Sequence, residues 1–456
     1  MSKIRLHSVP APADGRQTPL FALRCNYDYT AKYTRSDRAV ERAALSALFF
    51  ADRIALLPHS RNGVRIAETL APLLGLSPDP AAPGAFRLPL DPDAPLAERL
   101  QQLLDLAARF DADPRFGLYG FFCYELLHAK LGLNAGLLGV FHVPERLIVD
   151  GEAVDCLLDP ADAGGESWPL ALGPMLGADD FAAGRGLPYE RMYAIASRHI
   201  ADGALRSVNP SFAIQRPCAR DAYRIHQDLL ARNPAPYNLY FDGGDFQLAG
   251  SSPAMFLRLR GGRLATSPIC GTIARGRGEA EDEAQVAKLL ASDKDRFELE
   301  ECVRADMQAK EASCEDIRVD MQAKEASCED IRVDIEREVE RFANVFHTSA
   351  SVSARLKPGK TLADAICNHL WPATVVGTPV DAAARLLAEH ESRRWYAGAF
   401  GYLCANEVEL GTVIRTALLA DGMATTRVGS TLSAHSSPQL EQRELEAKAS
   451  LILGVL

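Results

Sequence analysis

Short apolar runs bounded by Gly, Pro and polar residues alternate along this chain with longer stretches of helical spacing. Phe212–Gln215, Asn238–Phe241 and Met255–Arg260 read as strands, because β-branched and aromatic positions crowd into segments too short for a helix. Ala39–Leu48, Leu96–Arg109, Tyr189–Asp202 and Glu281–Val303 read as helices from their i, i+3, i+4 apolar spacing. No regular βαβ alternation and no Gly-rich nucleotide loop accompanies them, so the pattern predicts an α+β fold with mostly antiparallel strands. Residues 1–20 read as a loose tail. Residues 160–188, rich in Gly, Pro and Ala, read as a linker or long surface connection. They divide an N-terminal region, 1–188, from a second region, 189–456.

One segment departs from ordinary patterning. Asp306–Val319 (DMQAKEASCEDIRV) is repeated letter for letter as Asp320–Val333. Two adjacent copies do not make a solenoid, which buries its core only by stacking several units. A tandem duplication of this length is close to four helical turns. A helix can therefore absorb it with its faces nearly in register; otherwise one copy loops out.

Composition narrows the function classes. The 456 residues carry 50 Lys+Arg against 60 Asp+Glu, a formal charge of −10, with 47% hydrophobic residues. That balance excludes wholesale disorder, and it counts against nucleic-acid binding, which needs a basic face. The N-terminus has no apolar secretory core, and Asp52 and Arg53 break the most apolar early stretch, so no membrane partner is expected. The ten cysteines form no CxxC pair. They read as buried thiols in a cytoplasmic protein rather than a zinc or disulfide framework.

Two acidic helix faces are the first candidate chemistry. Asp295 and Glu298 stand at i and i+3; Glu441, Glu444 and Lys448 stand at i, i+3 and i+7, again on one face. Brought together, such faces could hold Mg²⁺ through one carboxylate each, leaving positions for water and an anionic substrate that Lys448 would meet. Apart, they would be two solvated helices with routine ion pairs. Upstream of both, Ser267-Pro-Ile-Cys-Gly-Thr-Ile-Ala-Arg-Gly276 could turn backbone amides and a hydroxyl toward a carboxylate.

The order of motifs identifies a resemblance. Asn233-Pro-Ala-Pro-Tyr237, Gly250-Ser-Ser-Pro253 and Pro268-Ile-Cys-Gly-Thr272 come first. Thr374-Val-Val-Gly-Thr-Pro379, Trp395-Tyr-Ala-Gly-Ala399 and Ile414-Arg-Thr416 follow, ahead of the Glu441/Glu444/Lys448 helix. From about Tyr189 to its end the chain resembles the chorismate-utilising enzymes, specifically the synthase component of anthranilate synthase. Tyr27-Asp28-Tyr29, Tyr33-Thr-Arg-Ser-Asp37 and Gly117-Leu-Tyr-Gly120 with Tyr124 are similar to the glutaminase-fused subgroup.

The resemblance implies an α/β sandwich of antiparallel sheets with helices outside. It implies Glu298 and Glu444 as Mg²⁺ ligands, with Asp295 and Glu441 as additional acids. Arg415, Tyr396 and Lys448 would hold the carboxylates of chorismate, in a pocket lined by Gly271, Thr272, Thr374, Gly429 and Ser430. His347 would move a proton when pyruvate leaves, with Thr374 beside it at the reacting centre. Ser207 stands where water-adding relatives place a lysine base. Cys270 stands where the 4-amino-4-deoxychorismate enzyme has a lysine. Both point to ammonia attack at C2, giving anthranilate or, without pyruvate loss, 2-amino-2-deoxyisochorismate as in phenazine-type pathways.

Departures are expected to matter. Ala254 replaces the glutamate that follows Ser-Pro, and Val380 replaces a lysine. An Asp-x-x-Arg-Asn-Asp stretch persists only partly as Asp306-Met-Gln-Ala309. A relative that binds chorismate, or a glutaminase partner, without turnover is therefore the rival reading. The N-terminal Leu-Leu-Glu-Ser signature of tryptophan feedback is missing, so that inhibition is not expected. With no Gly-x-Cys-x-Gly elbow in the sequence, ammonia is expected from solution or from a separate glutamine amidotransferase subunit. A homodimer is compatible with the resemblance.

Overall fold

Two 13-residue strands form the spine, Arg38–Phe50 and Leu137–Val149, paired antiparallel with register shifts along their length. The shifts bend the pair, so that it serves two packed layers. On one side it leads through Phe21–Arg24 to Tyr237–Asp242, Gln247–Ser252, Thr416–Ala420, Met423–Gly429 and Ser211–Pro217. On the other it leads through Gly117–Phe122 to Ala399–Cys404, Glu407–Thr412, Met255–Arg260, Arg263–Thr266 and Ser351–Leu356. Every one of these pairings is antiparallel, and strands from both sides of residue 188 meet in them. This computed structural model describes residues 3–11, 18–27, 32–80, 82–176, 184–320 and 338–456.

The core between the layers is aromatic. Tyr119, Phe121 and Phe122, on a strand buried at every position, pack with Phe21, Phe141, Phe241, Phe400 and Tyr402. Edge-to-face contacts such as Phe121–Phe241, with ring centroids 5.1 Å apart, add to the area they bury. No helix among the described residues is long and apolar enough to cross a membrane.

Two expectations are corrected. Ala39–Leu48 is strand, not helix. Its residues are apolar on both faces because both faces are buried, so the period-2 signal is absent and alanines mimic a helix. The N-terminal tail is not all loose, since His7–Ala11 pairs with Glu152–Leu157. The remaining elements lie near their expected places: helices at Leu96–Ala108 and Tyr189–Ala201, strands at Ser211–Pro217, Tyr237–Asp242 and Met255–Arg260. The Glu281–Val303 stretch is two helices, Glu279–Ala291 and Asp293–Glu311, parted at Ser292. Ser292 caps the second, its hydroxyl accepting from the Asp295 amide.

The first copy of the repeat is fully used. Asp306–Glu311 ends the Asp293–Glu311 helix, and Cys314–Asp320 forms a strand. The second copy lies almost entirely outside the described residues, as do Asp28 and Tyr29. Asp320 stands opposite Ser351, and Glu338 opposite Ser349, at the facing ends of two successive strands parted by Ala350. Deleting 320–333 would leave Ile335, Glu336 and Arg337 to join Asp334, in the place of Asp320, to Glu338. A shorter connection between the same strand ends costs less chain entropy to close. The deletion variant is expected to fold with an equal or higher melting temperature, measured by differential scanning fluorimetry. A variant that is unfolded, or melts well below the parent, would contradict this placement of the repeat.

Candidate functional site

Four elements enclose the site: the strand Ile269–Ala274, the helix Asp293–Glu311, the strand Met423–Gly429 and the helix Pro438–Leu453. A cavity of about 80 Å³ between them is lined by Gly271, Thr272, Glu298, His347, Thr374, Tyr396, Arg415, Gly429, Glu444 and Lys448. Two glycines are needed as glycines. Gly271 has φ of 64°, a left-handed conformation costly for other residues. At Gly429 any Cβ would strike the Asn209 side-chain oxygen Oδ1 and crowd the Tyr396 hydroxyl.

Charge is concentrated where the two helices face each other. Lys294 Nζ lies 2.7 Å from Glu441 Oε1, 3.7 Å from Glu298 Oε1 and 3.9 Å from Glu444 Oε2. Lys448 Nζ lies 2.6 Å from Glu444 Oε1 and donates to the Gly429 carbonyl at 3.0 Å. The environments of the two cavity-lining carboxylates drive them apart, as low-dielectric sites do. Burial pushes Glu298 up to about 8, only partly opposed by Lys294. Burial also acts on Glu444, but Lys448 and Lys294 outweigh it and hold this acid below its usual range.

His347 and Arg415 form the opposite wall. Arg415 Nη2 donates to His347 Nε2, and His347 Nδ1 lies 2.8 Å from the Gly271 carbonyl. A guanidinium only donates, so Nε2 carries the lone pair and Nδ1 the proton. Burial, with Arg415 adding to it, holds His347 well below the usual histidine range. Arg415 is a non-glycine residue at φ of 50°, and its buried Nη1 has no hydrogen-bond partner. Backbone strain and an unmet donor thus coincide at one residue of the cavity wall.

Not every expected residue faces the cavity. Ser430 sits behind it and donates to Glu441 Oε2 at 2.6 Å, so Glu441 is spent on Ser430 and Lys294. Asp295 packs beside Gly271 rather than in the lining. Lys294 was not foreseen as a site residue, although its i, i+4 relation to Glu298 was a usable signal. Asn209, Thr431 and Arg427 also line the cavity without a motif to announce them.

Residues 24–454 match the family of chorismate binding enzymes. The chain belongs to that family. It is 33% identical over 430 residues to the anthranilate synthase of Azospirillum brasilense, covering 87% of this chain and 56% of the relative. It is 27% identical over 441 residues to anthranilate synthase component 1 of Mycolicibacterium smegmatis, covering 87% and 81%. The chain thus spans little more than half the length of the first curated relatives it matches. The fold is similar to that of the Escherichia coli menaquinone-specific isochorismate synthase, with a TM-score of 0.64 and 19% identity over 99% of this chain and 94% of that one. It is equally similar to anthranilate synthase component I of Streptococcus pneumoniae, with a TM-score of 0.64 and 21% identity over 92% of each chain.

Within this family fold the acidic cluster can be tested as a cation site. Glu298 Oε1 is buried with no hydrogen-bond partner, and burial raises its carboxyl, only partly opposed by Lys294. All-carboxylate donors suit a hard divalent ion. Among the described residues no three or more such side chains form a closed metal cage. Glu298 and Glu444 are thus the two carboxylates facing the cavity, with Lys294 Nζ 3.7 and 3.9 Å from them.

The buried histidines set a pH dependence. His347 stays neutral, and His369, in the neighbouring cavity wall, is lowered by burial to about 4. Free histidine titrates near ~6.5. As pH falls below that value the unfolded chain takes protons that the folded chain refuses, so stability is lost toward pH 4. The urea midpoint is expected to fall between pH 7 and 5, and His347→Gln to flatten that slope by up to about 1.4 kcal/mol per pH unit. Parallel slopes for parent and variant would contradict a buried neutral His347.

Proposed function

We propose that this chain binds chorismate and, with Mg²⁺, adds ammonia at C2 to give 2-amino-2-deoxyisochorismate, and anthranilate where pyruvate is then expelled. The observation that carries the proposal is the unmet Nη1 of Arg415, buried in a cavity wall that also bears Lys448, Glu298 and Glu444. A planar guanidinium with a free donor suits a carboxylate, and chorismate carries two. Lys448 meets the second once it leaves Glu444. When bound by Glu298 and Glu444, Mg²⁺ supplies Lewis-acid polarisation of the ring carboxylate. The hydroxyl of Thr272 lies 3.1 Å from His347 Nδ1 and joins the Gly271 carbonyl in fixing the imidazole tautomer. That leaves Nε2 free to accept a proton once Arg415 turns to the substrate. The closed cavity of about 80 Å³ is smaller than a ring with two carboxylates. Binding therefore displaces Arg415 or Lys448, or draws on the adjoining cavity.

The nucleophile is ammonia, from solution or from a separate glutaminase subunit. The relatives named component 1 support a partner of that kind. Ala254 favours a second reading. It stands in the wall shared with a neighbouring cavity of about 540 Å³ and offers no acid for the departing hydroxyl. A relative so altered would bind chorismate and turn it over slowly or not at all.

Mass spectrometry after incubation with chorismate, ammonium and Mg²⁺, with and without chelator, separates the readings. A chelator-sensitive amino product is expected, and its mass distinguishes the intermediate from anthranilate. Arg415→Ala is expected to lower kcat/KM by about 10- to 100-fold, the worth of one charged hydrogen bond. Unchanged chorismate in every condition, despite measurable binding, would support the impaired reading.

A further inference from the structure

Among the described cysteines, all of them free thiols, one pair meets. Cys270 Sγ lies 3.4 Å from Cys302 Sγ. The two come from different elements, the strand Ile269–Ala274 and the helix Asp293–Glu311, and they stand between two cavities. Cys270 lines the smaller cavity with Arg415 and Glu298. Cys302 lines the larger one, whose wall includes Arg206 and Arg304 with side chains 60% and 55% exposed. An oxidant can therefore reach Cys302 from solvent through the larger cavity and the cationic residues at its edge. Cys270 is placed to act second.

We propose that Cys270 and Cys302 form a reversible disulfide when the protein meets a hydroperoxide, and that this bond disables the adjacent site. The chemistry balances in two steps. The Cys302 sulfur attacks a peroxide oxygen, the O–O bond breaks, the departing hydroxide takes the thiol proton to leave as water, and Cys302 becomes a sulfenic acid. The Cys270 sulfur then attacks the sulfenic sulfur, an S–S bond forms, the S–O bond breaks, and a second water leaves. Two thiols and one hydrogen peroxide give one disulfide and two waters; the sulfurs lose two electrons and the peroxide gains them.

The consequence for the site follows from helix spacing. Glu298 precedes Cys302 by one turn on the same helix face, and Gly271 directly follows Cys270 in the strand. Bringing the sulfurs from 3.4 Å to bonding distance moves that turn against that strand, in the wall of the chorismate cavity. The cross-link itself is independent of the proposed amination. Its effect on ligand affinity rests on the chorismate reading.

The test is peptide mapping of the full chain by mass spectrometry after graded hydrogen peroxide and thiol alkylation, with Cys270→Ser and Cys302→Ser variants alongside. The expected result is one linked pair of peptides carrying Cys270 and Cys302, lighter by about 2 Da. It should be reversed by dithiothreitol and absent from both variants. Chorismate affinity of the parent should fall at least about fivefold on oxidation, while each variant keeps its own affinity with or without peroxide. Two results would overturn the proposal. One is Cys302 driven to sulfinic acid with Cys270 still free; the other is a linked parent with undiminished chorismate affinity. If the parent binds no chorismate at all, the amination reading fails and the linked peptide alone decides whether the bond forms.

Discussion

Three carboxylates cannot share a buried space without cations between them. Glu298, Glu441 and Glu444 are brought together by the packing of two helices more than a hundred residues apart in sequence, and Lys294 and Lys448 stand among them. Burial, with Glu444 nearby and only Lys294 opposing it, raises Glu298 to about 8, so this acid holds its proton near neutral pH. Removing either lysine would leave a buried charge uncompensated, a change that commonly costs about 3–5 kcal/mol. Supplying one more cation has the opposite effect. The antiparallel sandwich places the two helices so that this balance can be struck, and the cavity walls follow from it.

The departures from the family pattern lie in and beside the wall between the two cavities. Val380 and Asp306 line the larger cavity and Ala254 the wall shared by both, whereas Arg415, Lys448, Glu298 and Glu444 line the smaller one. Asp306 is held there by Lys310 Nζ at 2.7 Å and by the Thr266 hydroxyl at 2.6 Å, beside His369. The groups suited to carboxylates are kept, and the groups suited to releasing a hydroxyl are altered.

Much of the site was legible because motif order preserves the residues that line one cavity. Glu298, His347, Arg415, Glu444 and Lys448 are far apart in sequence yet share a wall or face one another. What could not be read was depth. Glu441 and Glu444 occupy one helix face by spacing, but Ser430 and Lys294 draw Glu441 behind the cavity. The strand Arg38–Phe50 was misread because burial on both faces erases alternation, leaving alanine and leucine to suggest a helix. The meeting of Cys270 and Cys302 carried no signal, since sulfur contact depends on how a helix packs across a strand. The repeat was visible at once, yet only the strand register around Ser349 and Ser351 gives its first copy a place.

A divalent cation at Glu298 and Glu444, as proposed, would displace the Glu298 proton and receive the substrate. Titration calorimetry of chorismate into the protein, with and without saturating Mg²⁺, tests it most directly. Binding in each direction must strengthen the other by the same factor. The account predicts at least about tenfold tighter chorismate binding with Mg²⁺, or about 1.4 kcal/mol, and loss of that coupling in Glu298→Gln. Equal chorismate affinity in the presence and absence of Mg²⁺ would contradict it.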